Sequence, residues 1–274
     1  MLNRAIAIYC IICDVLIAVQ HREDKRRVVS DAEIITTAIV AALEFGGNHE
    51  KARQYMKDTQ LIPNMLSESR FCRRLHAVAD LTANLFHQLG QVFKDANLST
   101  EYLIDSFPVE VCDNIRINRS RIVTGEDYRG YIASKRRYFY GIRVHIMTTA
   151  DGLPVEFSFL PGEAHDSRGL GVLPLILPQG SEIYADSAYT NYSVEDALQD
   201  EDEVTLSPIR KKDSTRFDEP MIRVYKKQMR QRIETTFSQI EGLFPKRIHA
   251  VTQQGFLIKL MFFIMAYTLD NAFV

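Results

Sequence analysis

Cysteine is scarce in this chain. Cys10, Cys13, Cys72 and Cys112 are its four cysteines, too few for a disulfide scaffold in 274 residues. Cys10 and Cys13 form a C-x-x-C, but no second Cys or His pair follows at zinc spacing, so the expectation is reduced core thiols in a cytosolic protein. Charge of one sign is also lacking. Lys and Arg number 33 against 35 Asp and Glu, a net charge of −2, so any anion-binding surface must come from local clustering. Clean apolar runs long enough for a membrane span are missing as well. Ala5–Val19 is interrupted by Asp14 and is followed by no A-x-A cleavage pattern; residues 255–274 contain Lys259 and Asp270. Each reads as a buried helix, with no membrane partner. There is no internal repeat and no low-complexity tract.

What is present is an ordinary globular composition, 46% hydrophobic and 25% charged, enough for one large or two modest domains. Residues 1–98 read as helical. Ser30 or Asp31 caps a run with apolar residues at Ile34, Ile35, Ala38, Ile39 and Leu43, which Gly46 and Gly47 end; a second helix covers Lys51–Lys57. In the segment Ser67–His76 the spacing turns Phe71 and Leu75 inward and leaves Arg70, Arg73, Arg74 and His76 free to project. A basic helix after the turn at Ile62, Pro63 and Asn64 reads as the recognition helix of a helix-turn-helix, or else as the solvated face of a bundle helix.

Near Leu98 the pattern switches to alternation. Glu101–Phe107 reads as a buried strand in which Asp105 marks the polar end. Tyr138–Thr149 and Leu153–Leu160 flank the hairpin signal Asp151-Gly152. A short crossover helix over Arg168–Leu177, a strand over Glu182–Ala185 ending at Asp186, a strand over Val204–Leu206 and an amphipathic helix over Gln228–Leu243 complete the chain. Antiparallel strands followed by βαβ units behind a helical cap predict an α/β protein. Its expected core is a ribonuclease-H-like mixed sheet flanked by helices, with an N-terminal helical DNA-binding region. The expected domains are 1–98 and 99–274.

Asp105, Asp186 and Glu234 fall at two strand ends and on a helix, from which carboxylates can converge on one sheet edge. Any one alone reads as readily as a cap or salt-bridge partner. Three hard oxygen donors in this order suit two Mg²⁺ (or Mn²⁺) ions, the arrangement that clamps the attacking and leaving oxygens of a phosphodiester. Two basic clusters flank these acids. One spans Arg116 to Arg143 and includes Lys135, Arg136 and Arg137; the other spans Arg210 to Arg232 and includes Lys211, Lys212 and Arg230. Such counter-charges match DNA phosphates. His145 and His165 read as structural or orienting residues rather than ligands; for His165 a role near the site is the alternative, because His165-Asp166 follows a strand-to-helix turn.

These segments carry a resemblance. Leu103-Ile104-Asp105-Ser106-Phe107-Pro108, Gly130-Tyr131, Tyr138–His145, Gly152–Phe157, Pro161-Gly162, His165-Asp166, Asp186-Ser187-Ala188-Tyr189 and Ile233-Glu234-Thr235, with the earlier Ser67–His76 segment, resemble a bacterial insertion-sequence transposase of the DDE class. The set is similar to the insertion-sequence family numbered 982 and covers nearly the whole chain. Many such enzymes show Tyr-x2-Arg-x3-Glu-x6-Lys around the last acid. Arg230 fits that pattern, while Lys227 and Glu241 hold the Tyr and Lys positions.

The resemblance implies that Asp105, Asp186 and Glu234 are the catalytic, metal-binding triad. It also implies cleavage at element ends and strand transfer into target DNA. The implied partners are the terminal inverted repeats and target DNA as duplexes, with a homodimer in the DNA complex and a cytoplasmic, nucleoid-associated location. The rivals are a ribonuclease-H-like nuclease without strand transfer and an inactive DNA-binding remnant.

Overall fold

Local signals explain most of the helices in this computed structural model, which describes residues 1–133 and 135–273. The chain divides into two compact units, residues 1–89 with 239–274, and residues 90–238.

The first unit is helical. Helix α1 spans Leu2–Ala18, α2 Asp31–Phe45, α3 His49–Asp58 and α4 Glu68–Ala77; α5 spans Ala79–Ala96, with residues up to Leu89 in this unit. Helix α2 begins with a full capping box. The Ser30 hydroxyl accepts from Glu33 N at 3.1 Å, and Glu33 accepts from Ser30 N at 2.6 Å, satisfying donors that a helix start leaves free. Gly46 ends it in the left-handed conformation at φ 55°. Asn48 caps α3 through Lys51 N. Ser67 stands at the start of α4 without a side-chain cap bond. The C-terminal helix, Gln253–Phe273, is buried along Phe256–Leu269 and packs on α2 and α4. It is long and apolar enough to cross a membrane, and about two thirds of its apolar stretch is buried in the protein. Val274, the last residue of that run, lies outside the described residues. Helix α1 is buried along one stripe only, Ala5, Ile8, Ile12 and Leu16. Ile6, Tyr9 and Ile17 face outward. Cys10 is free but exposed, because it lies off that stripe, so it is not a core thiol.

The second unit is built on a six-stranded mixed sheet. Its strands are β1 Glu101–Cys112, β2 Arg129–Ile132, β3 Arg137–Thr149, β4 Pro154–Pro161, β5 Glu182–Ala185 and β6 Thr205–Pro208. Strand β3 pairs antiparallel with β1, β2 and β4; β1 pairs parallel with β5, and β5 parallel with β6. Helices α6 (Ser167–Leu170), α7 (Tyr192–Asp202) and α8 (Pro220–Gly242, residues to Ser238 in this unit) complete it. Glycine allows two close approaches. A Cβ on Gly90 would lie 2.2 Å from Val155 O, where α5 meets β4. One on Gly141 would lie 2.0 Å from Val109 O, between β1 and β3.

Strand β2 has no counterpart in the sequence expectation, and three other elements differ from it in extent. Strand β1 does not stop near Asp105 but continues through Pro108 to Cys112, so Asp105 is mid-strand. Helix α6 has four residues instead of the expected ten, because Gly169, Gly171 and Pro174 interrupt that stretch. Helix α8 starts at Pro220, two turns earlier than its apolar periodicity indicates; proline is well placed in a first turn, where its missing N–H costs nothing.

Candidate functional site

The parallel pairing of β1 with β5 sets the site. Ile104 and Ala185 are partners in the register, so the residues that follow them, Asp105 within β1 and Asp186 just past β5, are next to each other. Asp186 directly follows β5 and caps the 3-10 turn Ser187–Tyr189. Both carboxylates are held in the same way, by the amide of the next residue. Ser106 N donates to Asp105 Oδ1 at 2.8 Å, and Ser187 N to Asp186 Oδ1 at 2.5 Å.

Helix α8 supplies the third acid. Met229, Ile233 and Phe237 are its buried stripe, and Phe237 meets Phe107 of β1 with ring centroids 4.7 Å apart. Arg232 and Thr236 donate to Ala150 O and Gly152 O at 3.1 and 2.9 Å. These contacts bring Arg230 and Glu234 to the acids. The Arg230 guanidinium lies 3.4 Å from Asp186 Oδ2 and 3.3 Å from Glu234 Oε1.

The electrostatics of Asp105 are unusual. It is surrounded by protein while still partly open, and desolvation pushes its carboxyl up to about 7. The Ser106 amide and Arg230 pull it down; Asp186 and Asp166 push it further up. A carboxyl that resists ionisation beside further acids is a site short of positive charge.

That donor set fits a divalent cation. The oxygens are hard ligands, and a guanidinium already lies between two of the carboxylates as a stand-in cation. The three acids are not drawn tightly together around it. Among the described residues, the set of three ligand groups with atoms within 4.8 Å of one another is His21, Glu23 and Asp31, in the helical unit. Asp31 there is already neutralised by Arg27 and Arg74, at 2.6 and 2.5 Å.

The remaining sequence candidates are placed as follows. Arg70 and Arg73 are exposed on α4, whereas Arg74 turns inward to Asp31 and to Val29 O at 3.1 Å. Lys135 and Arg136 are exposed at the turn between β2 and β3, and Arg137 pairs with Glu110 at 2.6 Å. Lys211 and Lys212 are exposed in the loop after β6. Lys211 lines a cavity of about 320 Å³ with His165, Ser187, Thr190, Tyr192 and Ser214, beside the turn that carries Asp186. His165 is exposed and bonded to Ser167, with 2.9 Å between Nδ1 and Oγ.

A group that sequence reasoning left without a role lies next to Asp105. Ser106 Oγ donates to Asp166 Oδ1 at 2.5 Å, and Arg143 Nη1 lies 3.3 Å from the same oxygen. His145 is fully buried with Nδ1 3.0 Å from the Tyr189 hydroxyl, and burial lowers it to about 4. The dipeptide His165-Asp166 was the available signal; no spacing rule relates it to Ser106.

A family model described as the transposase DDE domain matches residues 96–269. No curated protein and no solved structure matches the chain.

Proposed function

The chain belongs to the transposase DDE domain family, and from that premise we propose that it cuts DNA at the ends of an insertion sequence and joins the freed 3′ ends to target DNA. The observation that carries this reading is that Asp105 and Asp186 follow register partners on β1 and β5 while Arg230 lies between Asp186 and Glu234. In support of a ribonuclease-H-like sheet, β4, β3 and β1 run antiparallel and β5 and β6 continue parallel to β1.

In this reading Asp105, Asp186 and Glu234 would hold two Mg²⁺ or Mn²⁺ ions. When bound, such ions neutralise charge on the attacking and leaving oxygens of an in-line phosphodiester displacement. The protein's part is to orient and to hold. The amides of Ser106 and Ser187 fix one oxygen of each aspartate, leaving the other for a cation. Arg230 would release Asp186 and Glu234 to the cations and turn to a DNA phosphate. Lys211 and Lys212 hold the strand on one side of the scissile bond, and Lys135, Arg136 and Arg137 on the other. Arg70 and Arg73, exposed on α4, read the element end, while Arg74, held inward on Asp31, braces that helix. The same site then serves two nucleophiles, water in cleavage and the DNA 3′-OH in joining, provided the cut end stays bound. The finer placement near the insertion-sequence family numbered 982, the homodimer on DNA and the cytoplasmic, nucleoid-associated location belong to the same proposal, as does the division into a 1–98 end-binding region and a 99–274 catalytic domain.

Strand joining separates this function from a nuclease. A pre-cut element-end duplex with a free 3′-OH is expected to become joined to supercoiled plasmid in Mg²⁺, its label running with plasmid DNA under denaturing conditions. Cleavage of the intact end without joining of the pre-cut end would replace the transposase by a nuclease. Absence of both activities would leave a DNA-binding remnant.

A further inference from the structure

We propose that Asp166 is a fourth functional carboxylate of this centre, a positioning residue that fixes Asp105 for cation binding through Ser106 and Arg143. The inference rests on the reading of Asp105 as a cation ligand.

Successive side chains of a strand point to opposite faces. Asp105 shares a face with Phe107, which packs on α8. Ser106 therefore points to the other face, where its register partner is His145 of β3. The peptide joining Asp105 to Ser106 is gripped from both sides. On one side its N–H donates to Asp105 Oδ1 at 2.8 Å. On the other, the hydroxyl of the same residue donates to Asp166 Oδ1 at 2.5 Å.

Asp166 is itself held. Arg143 Nη1 reaches Asp166 at 3.3 Å and Ser106 Oγ at 3.4 Å, and Nη2 reaches Gly162 O at 3.4 Å. The guanidinium also lies 5.9 Å from the centroid of the Phe139 ring. The helix that follows Asp166 is seated closely, since a Cβ on Gly169 would lie 2.3 Å from His145 Nδ1. His145 in turn contacts the hydroxyl of Tyr189, in the turn that Asp186 caps. One partly buried network thus underlies Asp105 in β1 and the turn that Asp186 caps.

Hydrogen-bond partners of metal-ligating carboxylates typically change metal affinity 10–100-fold when removed, by loosening the ligand. A residue with only a folding role would lower the melting temperature and leave metal affinity alone.

The test is Mn²⁺ binding to the full chain without DNA, by calorimetry, beside a melting curve and a metal titration of end cleavage. Asp166→Ala and Ser106→Ala are expected to weaken Mn²⁺ binding about ten-fold. Cleavage is expected to recover to within a few-fold of normal at saturating Mn²⁺. Ser106→Thr, which keeps the hydroxyl, is expected to bind as the unmodified protein does. Asp166→Asn keeps an acceptor for Ser106 but loses the charge facing Arg143, and is expected to fall between. Wild-type Mn²⁺ affinity in folded Ser106→Ala and Asp166→Asn overturns the proposal, as does cleavage that saturating Mn²⁺ fails to restore. If Asp166→Ala does not fold, Ser106→Ala and Asp166→Asn decide. Asp105→Asn is the control. Loss of binding there with none in the Asp166 and Ser106 variants rejects this proposal alone; unchanged binding in Asp105→Asn rejects the cation-site reading together with it.

Discussion

Asp105 is held in a state that opposes stability. Its carboxyl stands at about 7 against an ordinary 3.8. The folded protein therefore keeps a proton that the unfolded chain has released, and the penalty grows as pH rises from 3.8 to 7. Asp105→Asn removes that penalty and keeps the acceptor for Ser106 N. At pH 8 without metal it is expected to raise stability by about 1–3 kcal/mol, read by denaturant unfolding, while abolishing cleavage. A stability equal to or below that of the unmodified protein would refute the electrostatic account. Two histidines act in the other direction. His145 and His49 are both held at about 4 by burial, against an ordinary 6.5; Lys259 and His76 add to the shift at His49. Between pH 6.5 and 4 the unfolded chain binds protons that the folded one refuses, so their contribution to stability is lost on acidification. Asp105 offsets part of this loss in the unmodified protein. Asp105→Asn is therefore expected to show the steeper fall in stability between pH 6.5 and 4; parallel curves would contradict the opposing signs.

The buried pair Lys94–Glu156 ties the last turn of α5 to β4. Their side chains are 1% and 4% exposed and 2.6 Å apart, and Lys94 also donates to Ile176 O at 3.0 Å. Removing one partner leaves a buried charge uncompensated, whereas replacing both by apolar groups can be nearly neutral. Lys94→Met alone is expected to cost about 3–5 kcal/mol. Lys94→Met with Glu156→Leu is expected to recover most of that loss, as a double-mutant cycle would show. Lys94 falls within the region that helical periodicity made legible, but its partner lies 62 residues away on a strand. Long-range pairing of this kind has no local sequence signal. The same limit separates what was legible in the site from what was not. Asp186 could be placed at a strand end because Ile183, Tyr184 and Ala185 form a short buried run. The extent of β1 was not legible, since Pro108 argues locally against a strand that tertiary pairing with β3 maintains. Helix α6 shrank for the opposite reason, as glycine and proline overrode an apolar pattern. The capping box of α2 is entirely local, and Ser30 and Gly46 mark its ends in both sequence and structure.

A net charge of −2 hides two kinds of basic residue. Some are taken up by the fold. Arg210 and Arg216 pair with Glu195 at 2.6 and 2.8 Å, and Lys226 pairs with Asp218 at 2.5 Å. Glu195 is only 3% exposed at its side chain and has its carboxyl held below the ordinary range by hydrogen bonds and charge from those two arginines, against the effect of burial. Others, including Lys135, Arg136, Lys211 and Lys212, are exposed and make no ion pair among the described residues. Only the second kind can release counterions from DNA without first breaking a protein contact. Each phosphate contact contributes about 0.9 to the slope of log affinity against log salt. Lys211→Ala with Lys212→Ala is therefore expected to weaken binding to specific and random duplexes alike and to reduce that slope by about 2, with little change in melting temperature. Arg210→Ala with Arg216→Ala is expected to do the reverse, lowering the melting temperature by stranding Glu195 while leaving the salt slope near its original value. Titrations at several salt concentrations beside melting curves distinguish the two. If the arginine pair carried the slope and the lysine pair did not, the DNA path would lie along α7 and the loop ion pairs rather than beside the turn of Asp186, and the assignment of Lys211 and Lys212 to the scissile strand would be wrong.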